Sequence, residues 1–256
     1  MDYLEHLRAD GARLGAVARR GPEAAVPSCP GWTVDDAVRH VAQVYVHKVE
    51  VLKHGALPDP WPLEFSGLET FEWYDEMRAA IVAALEEAGT ERITWTFSPR
   101  DSTSGFWYRR MAHETVIHRV DVEQAFDAVT PIDLELALDG IDEVLYPTVG
   151  GPWWEEGDTK FPVDATVRIA AGSRSWTIQA NATAVDVHQD AAGLHAPADA
   201  GTPASSGEQA PAVEVSGDPM QVYLWLWGRA GDDAVQVTGD LDVLRAFRGR
   251  VSEATQ

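Results

Sequence analysis

Cysteine is almost absent from this 256-residue chain, which contains only Cys29. A single cysteine excludes an internal disulfide framework and any zinc site built from several thiolates. Thiol chemistry in this protein would therefore need either Cys29 or a thiol from outside. Because Cys29 lies in the turn-rich segment 27–32, with no lysine or arginine close in sequence to activate it, we predict a structural role for this residue.

Long hydrophobic runs and clustered positive charge are also missing. No apolar run approaches the roughly 18 residues that a membrane-spanning helix needs. The 41 acidic residues outnumber the 20 lysines and arginines, for a net charge of −21, which argues against nucleic-acid or membrane partners but leaves a small anionic substrate open. Residues 1–15 lack the basic, apolar and small-residue order of a signal peptide, so a cytoplasmic protein is expected.

What the sequence does contain is the composition of a soluble globular protein, with 45% hydrophobic and 24% charged residues. Its hydrophobic periodicity changes near residue 150. Before that point, helical spacing and capping signals predict helices at about 2–20, 34–54, 68–88 and 106–128. A fifth helix at about 133–146 is left open. Residues 1–150 are therefore predicted to form a four-helix bundle.

After residue 150 the pattern alternates, as in half-buried strands. The predicted strands cover about 163–169, 174–181, 184–188, 212–216 and 234–238. Helices are predicted at about 218–228 and 240–250, and the Ala-, Gly-, Pro- and Ser-rich stretch 190–211 is predicted to be a long mobile loop. Residues 151–256 thus form a small α+β domain, and the whole chain a two-domain α+β protein.

The segment RRMAHETVIHRVD carries the clearest chemical signal. Glu114 and His118 are four residues apart, so on a helix they lie on one face and can share an ion. A carboxylate and an imidazole suit zinc or another borderline divalent metal. His113 and His118 are five apart and point about 140° away from each other, which excludes the zincin arrangement.

A third ligand must come from another helix, where His40 and His47 are both geometrically suitable because they are seven residues apart. Spacing alone leaves a simpler interpretation open. A Glu-x-x-x-His pair is common on helices, and a lone histidine such as His40 is more often a hydrogen-bonded core residue than a ligand.

Neighbouring charged residues suggest supporting roles. Asp36 lies one turn before His40 and Asp121 about one turn after His118, so each carboxylate can orient its histidine. The alternatives are that Asp36 only stabilises a helix N-terminus and that Asp121 pairs with an arginine. Arg110 lies one turn before Glu114 on the same face and is a candidate substrate-binding cation.

The segments CPGWTVDDAVRHVAQVYVH and RRMAHETVIHRVDVEQAF, together with the C-terminal VSGDPMQVYLWLWGR and VQVTGD, resemble the mycothiol-dependent maleylpyruvate isomerase family of actinobacteria. The resemblance implies an N-terminal domain similar to the DinB-like metal-binding bundles. It places the family's metal triad on His40, Glu114 and His118, and leaves His47 and His113 as packing or supporting groups. It also implies that Arg229 supplies a substrate-binding cation from the C-terminal domain.

The same resemblance implies a function. A divalent metal, with zinc expected, would hold mycothiol as a thiolate, and the thiolate would add to an electrophilic, possibly anionic small molecule. Return of the thiol after bond rotation makes a cis–trans isomerase, whereas release of the adduct makes an S-transferase. The motifs do not separate these two reactions, and the protein could be a monomer or a homodimer. Two other functional classes remain open: a non-catalytic binding protein with a structural metal, and a regulatory protein that responds to thiols or metals.

Overall fold

The computed structural model describes residues 1–59, 67–151, 154, 159–190 and 210–255. Within these residues the chain forms two compact units, Met1–Ile132 and Asp133–Gln256. The first unit is helical and the second combines helices with a sheet, which confirms the predicted two-domain α+β class. Among the described residues, no helix is long and apolar enough to cross a membrane.

The first unit contains the four predicted helices: α1 (Tyr3–Ala18), α2 (Val34–His54), α3 (Thr70–Ala88) and α4 (Ser104–Gln124). Local signals set the ends of α2. Thr33 and Asp36 form a reciprocal capping box at its start, and Gly55 ends it in the left-handed conformation with φ 69°. The helix α1 packs on α4, and α2 packs on α3 and α4.

The helix α4 runs through the centre of this unit, and every residue from Met111 to Glu123 is buried. Its charged side chains therefore need partners inside the protein. Arg119 bridges two acids, with its Nη1 2.7 Å from Oε2 of Glu123 and its Nε 2.9 Å from Oδ1 of Asp10. The pair with Asp10 joins α4 to α1, whereas the pair with Glu123 lies within α4, the helix that carries Glu114 and His118.

The second unit begins with α5 (Leu134–Glu143), which continues into a π-helical turn (Val144–Val149). A five-stranded sheet and two further helices follow: β1 (Ala165–Ala171), β2 (Arg174–Ala180), β3 (Val185–Gln189), β4 (Val213–Gly217), α6 (Pro219–Leu226), a 3-10 turn (Asp232–Ala234), β5 (Gln236–Gly239) and α7 (Leu241–Thr255). The strand order is β3-β2-β1-β4-β5. The first three strands form an antiparallel meander, and β4 adds parallel to β1.

The helix α5 belongs to the second unit, so the division between the compact units precedes it, whereas the change of hydrophobic period placed the boundary near residue 150. Tyr223 of α6 lies directly against Gly140, where a side chain would collide with its ring. Trp176 of β2 donates a hydrogen bond to Asp142 Oδ1 at 2.6 Å. Periodicity left the helix at about 133–146 open and did not reveal which core it joins. Most of the predicted loop at 190–211 lies outside the described residues.

Candidate metal centre

Three side chains from two helices of the first unit converge. His40 comes from α2, and Glu114 and His118 come from adjacent turns of α4. The Oε1 atom of Glu114 lies 3.4 Å from Nε2 of His40 and 3.2 Å from Nε2 of His118. The three potential ligand atoms all lie within 4.8 Å of one another. The structure thus brings together the triad that the sequence analysis singled out, and within the described part of the chain it is the only such group.

The spacing and chemistry of these donors fit one divalent ion. Two donors bound at 2.0–2.1 Å to a tetrahedral ion stand about 3.4 Å apart, which matches the contacts of Glu114 with both imidazoles. Two imidazoles and a carboxylate leave one tetrahedral position open, as in catalytic zinc sites. The His40 side chain is 37% exposed, whereas those of Glu114 and His118 are 9% exposed. The centre is therefore accessible on the His40 side.

The two oxygens of Glu114 have different partners. Oε1 faces the imidazoles, while Oε2 accepts a hydrogen bond from Nη2 of Arg110 at 2.5 Å. Burial alone would raise the pKa of Glu114, but Arg110 and the contacts with His118 and His40 outweigh it and hold that pKa well below its usual value. Glu114 is therefore a carboxylate, with one oxygen fixed by Arg110 and the other turned toward the histidines. Arg110, a candidate substrate-binding cation from sequence, is engaged by Glu114.

Asp121 contacts the far side of His118. Its Oδ2 lies 2.9 Å from Nδ1 of His118, somewhat off the ideal line of a hydrogen bond. Burial would lower the pKa of His118, but Asp121 and Glu114 raise it to about 9. The surroundings of this imidazole therefore favour positive charge. The carboxylate of Asp36, by contrast, accepts hydrogen bonds from the backbone and hydroxyl of Thr33, so Asp36 caps α2, the simpler of its two predicted roles.

The loop before α2 lies against the same centre. Ser28 Oγ donates to Oδ1 of Asp121 at 2.5 Å, and Cys29 Sγ donates to Oδ2 at 3.6 Å. The ring of Trp32 lies 5.1 Å from that of His40 and nearly parallel to that of His118 at 6.5 Å. The loop thus supplies an aromatic wall and two donors to Asp121. Its PGW turn was visible in the sequence, but a loop residue's tertiary contacts leave no periodic signal.

A second group of polar residues lies further along α2. His47 is buried, and its Nδ1 lies 2.8 Å from Nζ of Lys48. The ammonium of Lys48 also sits 4.5 Å from the ring centroid of Trp107. Burial, with a contribution from Arg110, lowers the pKa of Lys48 to about 8. Lys48 was not predicted from the sequence, because a lone lysine in an acidic protein resembles an ordinary surface residue.

The remaining candidates are His113 and Arg229. His113 is fully buried and packs edge-on against Tyr3, with ring centroids 6.3 Å apart. Arg229 follows α6 in the second unit, where its Nη1 donates to the carbonyl of Trp227 at 2.7 Å. The triad itself is built only from residues of the first unit, and a role for Arg229 in binding substrate stays a prediction.

Comparison with known proteins gives two family matches and two structural ones. The model of the mycothiol maleylpyruvate isomerase N-terminal domain matches residues 4–123, and that of the MDMPI C-terminal domain matches residues 135–246. A crystal structure of a mycothiol-dependent maleylpyruvate isomerase is similar with a TM-score of 0.55 at 14% identity, covering 92% of this chain and 91% of that one. A histidine-to-alanine mutant of such an isomerase gives 0.56 at 15% identity, with the same coverage of both chains. Comparison with curated protein sequences gave no match.

Proposed function

Because this chain belongs to the mycothiol maleylpyruvate isomerase family, we propose that it is a metal-dependent enzyme that adds the thiolate of mycothiol to an electrophilic small molecule. The observation that carries the proposal is the triad of His40, Glu114 and His118, with three donors and an accessible side. A structural zinc ion is usually enclosed by four protein ligands. The open side therefore favours an enzyme over a protein with a structural metal.

Each residue of the centre has a distinct task in this proposal. A divalent ion on this donor set, with zinc the expected ion, favours the thiolate form of a thiol that reaches it. His40, Glu114 and His118 are the residues that hold such an ion. Asp121 favours the proton on Nδ1 of His118, which would leave Nε2, beside Glu114, to bind the ion. Arg110 fixes the carboxylate of Glu114 so that Oε1 faces the histidines.

Two reactions are possible after the thiolate adds to the substrate. The thiolate sulfur bonds to one carbon of an activated C=C bond, and the π electrons move onto the activating carbonyl as an enolate. If rotation about the resulting single bond is followed by expulsion of the thiolate, the double bond re-forms with changed geometry and the thiol is returned. If the enolate instead takes up a proton, the saturated thioether is released as the product and one thiol is consumed. The first course is cis–trans isomerisation, the second S-transfer.

A side-by-side assay tests the proposal and separates the two courses. Metal-loaded protein is incubated with mycothiol and either maleylpyruvate or a neutral electrophile, and both product and free thiol are measured. Loss of maleylpyruvate without net thiol consumption is the result for an isomerase, and thiol consumption with the neutral electrophile is the result for an S-transferase. If protein with bound metal and a panel of electrophiles gives neither, the enzymatic proposal is wrong and a binding role is favoured.

Arg229→Ala should raise KM for an anionic substrate about tenfold, the scale expected when a charge-assisted hydrogen bond is lost. A fall in kcat as well would mean that the contact strengthens in the transition state. Steady-state kinetics with maleylpyruvate measure both constants. Arg245→Ala is the matched control, because Arg245 belongs to the same unit and its side chain is 69% exposed. Equal KM values for Arg229→Ala and Arg245→Ala would remove Arg229 from substrate binding.

A further inference from the structure

Lys48 is a partly buried cation on α2. Its Nζ contacts Nδ1 of His47 and the ring of Trp107, and among the described residues no carboxylate lies within ion-pair distance of it. Lys53, one and a half turns further along α2, is 63% exposed and does pair with Glu50. Removing a charge from water without a counter-ion is unfavourable. A site that keeps such a cation in a protein of net charge −21 is therefore suited to an anion.

The ammonium is held in place before any ligand arrives. Trp107 is fully buried, its Nε1 donates to the carbonyl of Trp95 at 2.9 Å, and its ring packs edge-on against Phe106. Burial and the charge of Lys48 lower the pKa of His47 to about 4, so His47 is neutral and its Nδ1 can accept a hydrogen bond from Lys48. An ammonium has three N–H donors, so these contacts leave donor capacity for a ligand.

The position of Lys48 relates it to the metal centre. Lys48 follows His40 on α2 by eight residues, about 12 Å along the helix axis, and its side chain leaves the backbone in the direction of His40. The ammonium interacts electrostatically with both Arg110 and Glu114. The charge of Arg110 is paired with Glu114 at 2.5 Å, whereas no described carboxylate is within ion-pair distance of Lys48, so Lys48 is the cation of this group whose charge a bound anion would balance.

We propose that Lys48, seated on Trp107, binds a carboxylate group of the electrophilic substrate and forms a carboxylate subsite beside the metal centre. This inference rests on the proposed function and deepens it by naming the residue that would bind the acid group of an unsaturated carboxylic acid. The acid group is held at Lys48 while the double bond lies toward the triad of His40, Glu114 and His118. The bound carboxylate supplies an ion-pair partner, which Lys48 does not have among the described residues.

Binding of fumarate, an unsaturated dicarboxylate, tests the subsite directly. Calorimetry is done on metal-free protein, so that fumarate cannot coordinate an ion and no thiol chemistry takes part. Lys48→Gln should weaken binding at least about tenfold, as expected when a charged hydrogen bond is lost. Lys48→Arg should retain part of the affinity, because it keeps the charge. Lys53→Gln, the matched control on the same helix, should bind like the wild type. Equal affinities for Lys48→Gln and Lys53→Gln, or no binding to the wild type, would overturn the proposal.

The wild-type protein allows a test without any substitution. The chain has three lysines, Lys48, Lys53 and Lys160, so a sample labelled with 13C-lysine gives three side-chain signals. Fumarate should shift the Lys48 signal most and raise its titration midpoint from about 8, against the opposing field of Arg110. His47 contacts this ammonium and Glu114 interacts with it electrostatically, so their titrations are followed in a second sample with labelled histidine and glutamate. Equal shifts of all three lysines would indicate non-specific binding and contradict the subsite.

Turnover distinguishes failure of the subsite from failure of the proposed function. In Lys48→Gln, the ratio of kcat/KM for maleylpyruvate to that for a neutral electrophile should fall at least about tenfold, because only the acid loses a contact. If the wild type shows thiol-dependent turnover but this ratio is unchanged, Lys48 is not the carboxylate site. If the wild type binds fumarate at Lys48 but turns over nothing, the subsite stands and the enzymatic proposal fails.

Discussion

His118→Ala should remove most of the divalent metal that the purified protein carries, which we expect to be about one ion per chain. The substitution deletes one of three donors, and the remaining pair, His40 Nε2 and Glu114 Oε1 at 3.4 Å, cannot hold the ion as tightly. Elemental analysis after dialysis against metal-free buffer measures the loss. Asp121→Asn should weaken binding only about 10–100-fold, the usual effect of changing a group that orients a ligand.

The control for this loss is His54→Ala. His54 lies on α2 with a side chain 55% exposed and pairs with Glu50, away from the triad, so its removal should leave metal content unchanged. Circular dichroism of each variant checks that the helices persist. If His40→Ala, Glu114→Ala and His118→Ala all keep a full complement of metal, the ion binds elsewhere and the central claim is wrong.

Features that depend on residues close together in the chain could be predicted from the sequence. Thr33, Asp36 and Gly55 are short-range signals, and they gave both ends of α2 correctly. The spacing of Glu114 and His118 was equally informative, because residues four apart on any helix share a face. His40 was different. Spacing alone did not distinguish His40 from His47 as the third ligand, and only the family resemblance assigned His40 to the triad.

The rest depended on contacts between distant segments. The helix α4 is buried on every side from Met111 to Glu123, so it has no polar face and its hydrophobic pattern does not reveal which neighbours it has. The pairing of Arg110 with Glu114 was not predicted, and its role as a substrate-binding cation stays a prediction. The contact of the Lys48 ammonium with the ring of Trp107 joins two different helices, so the sequence around either residue does not predict it. Pairings of this kind are fixed by packing, which periodicity does not encode.

Omitting mycothiol from the assay should abolish turnover, while Cys29→Ser should leave it nearly unchanged. The proposed nucleophile is an external thiol, and Cys29 is occupied as a donor to Asp121 Oδ2 at 3.6 Å. A serine at this position keeps a donor for Asp121, so the support of His118 survives the change. Initial rates at several mycothiol concentrations, each with and without prior metal removal by a chelator, give the measurement.

Cys29→Ala separates the two roles that the cysteine could have. An alanine removes the donor as well as the thiol, so some loss of metal affinity through Asp121 and His118 is expected, and it should be recovered at higher metal concentration. A catalytic thiol would behave differently, because both Cys29→Ser and Cys29→Ala would then be inactive at any metal concentration. Undiminished turnover without added thiol, retained in Cys29→Ser, would contradict both the isomerase and the S-transferase forms of the proposal. In that case the metal centre would have to activate water or the substrate itself rather than a thiol.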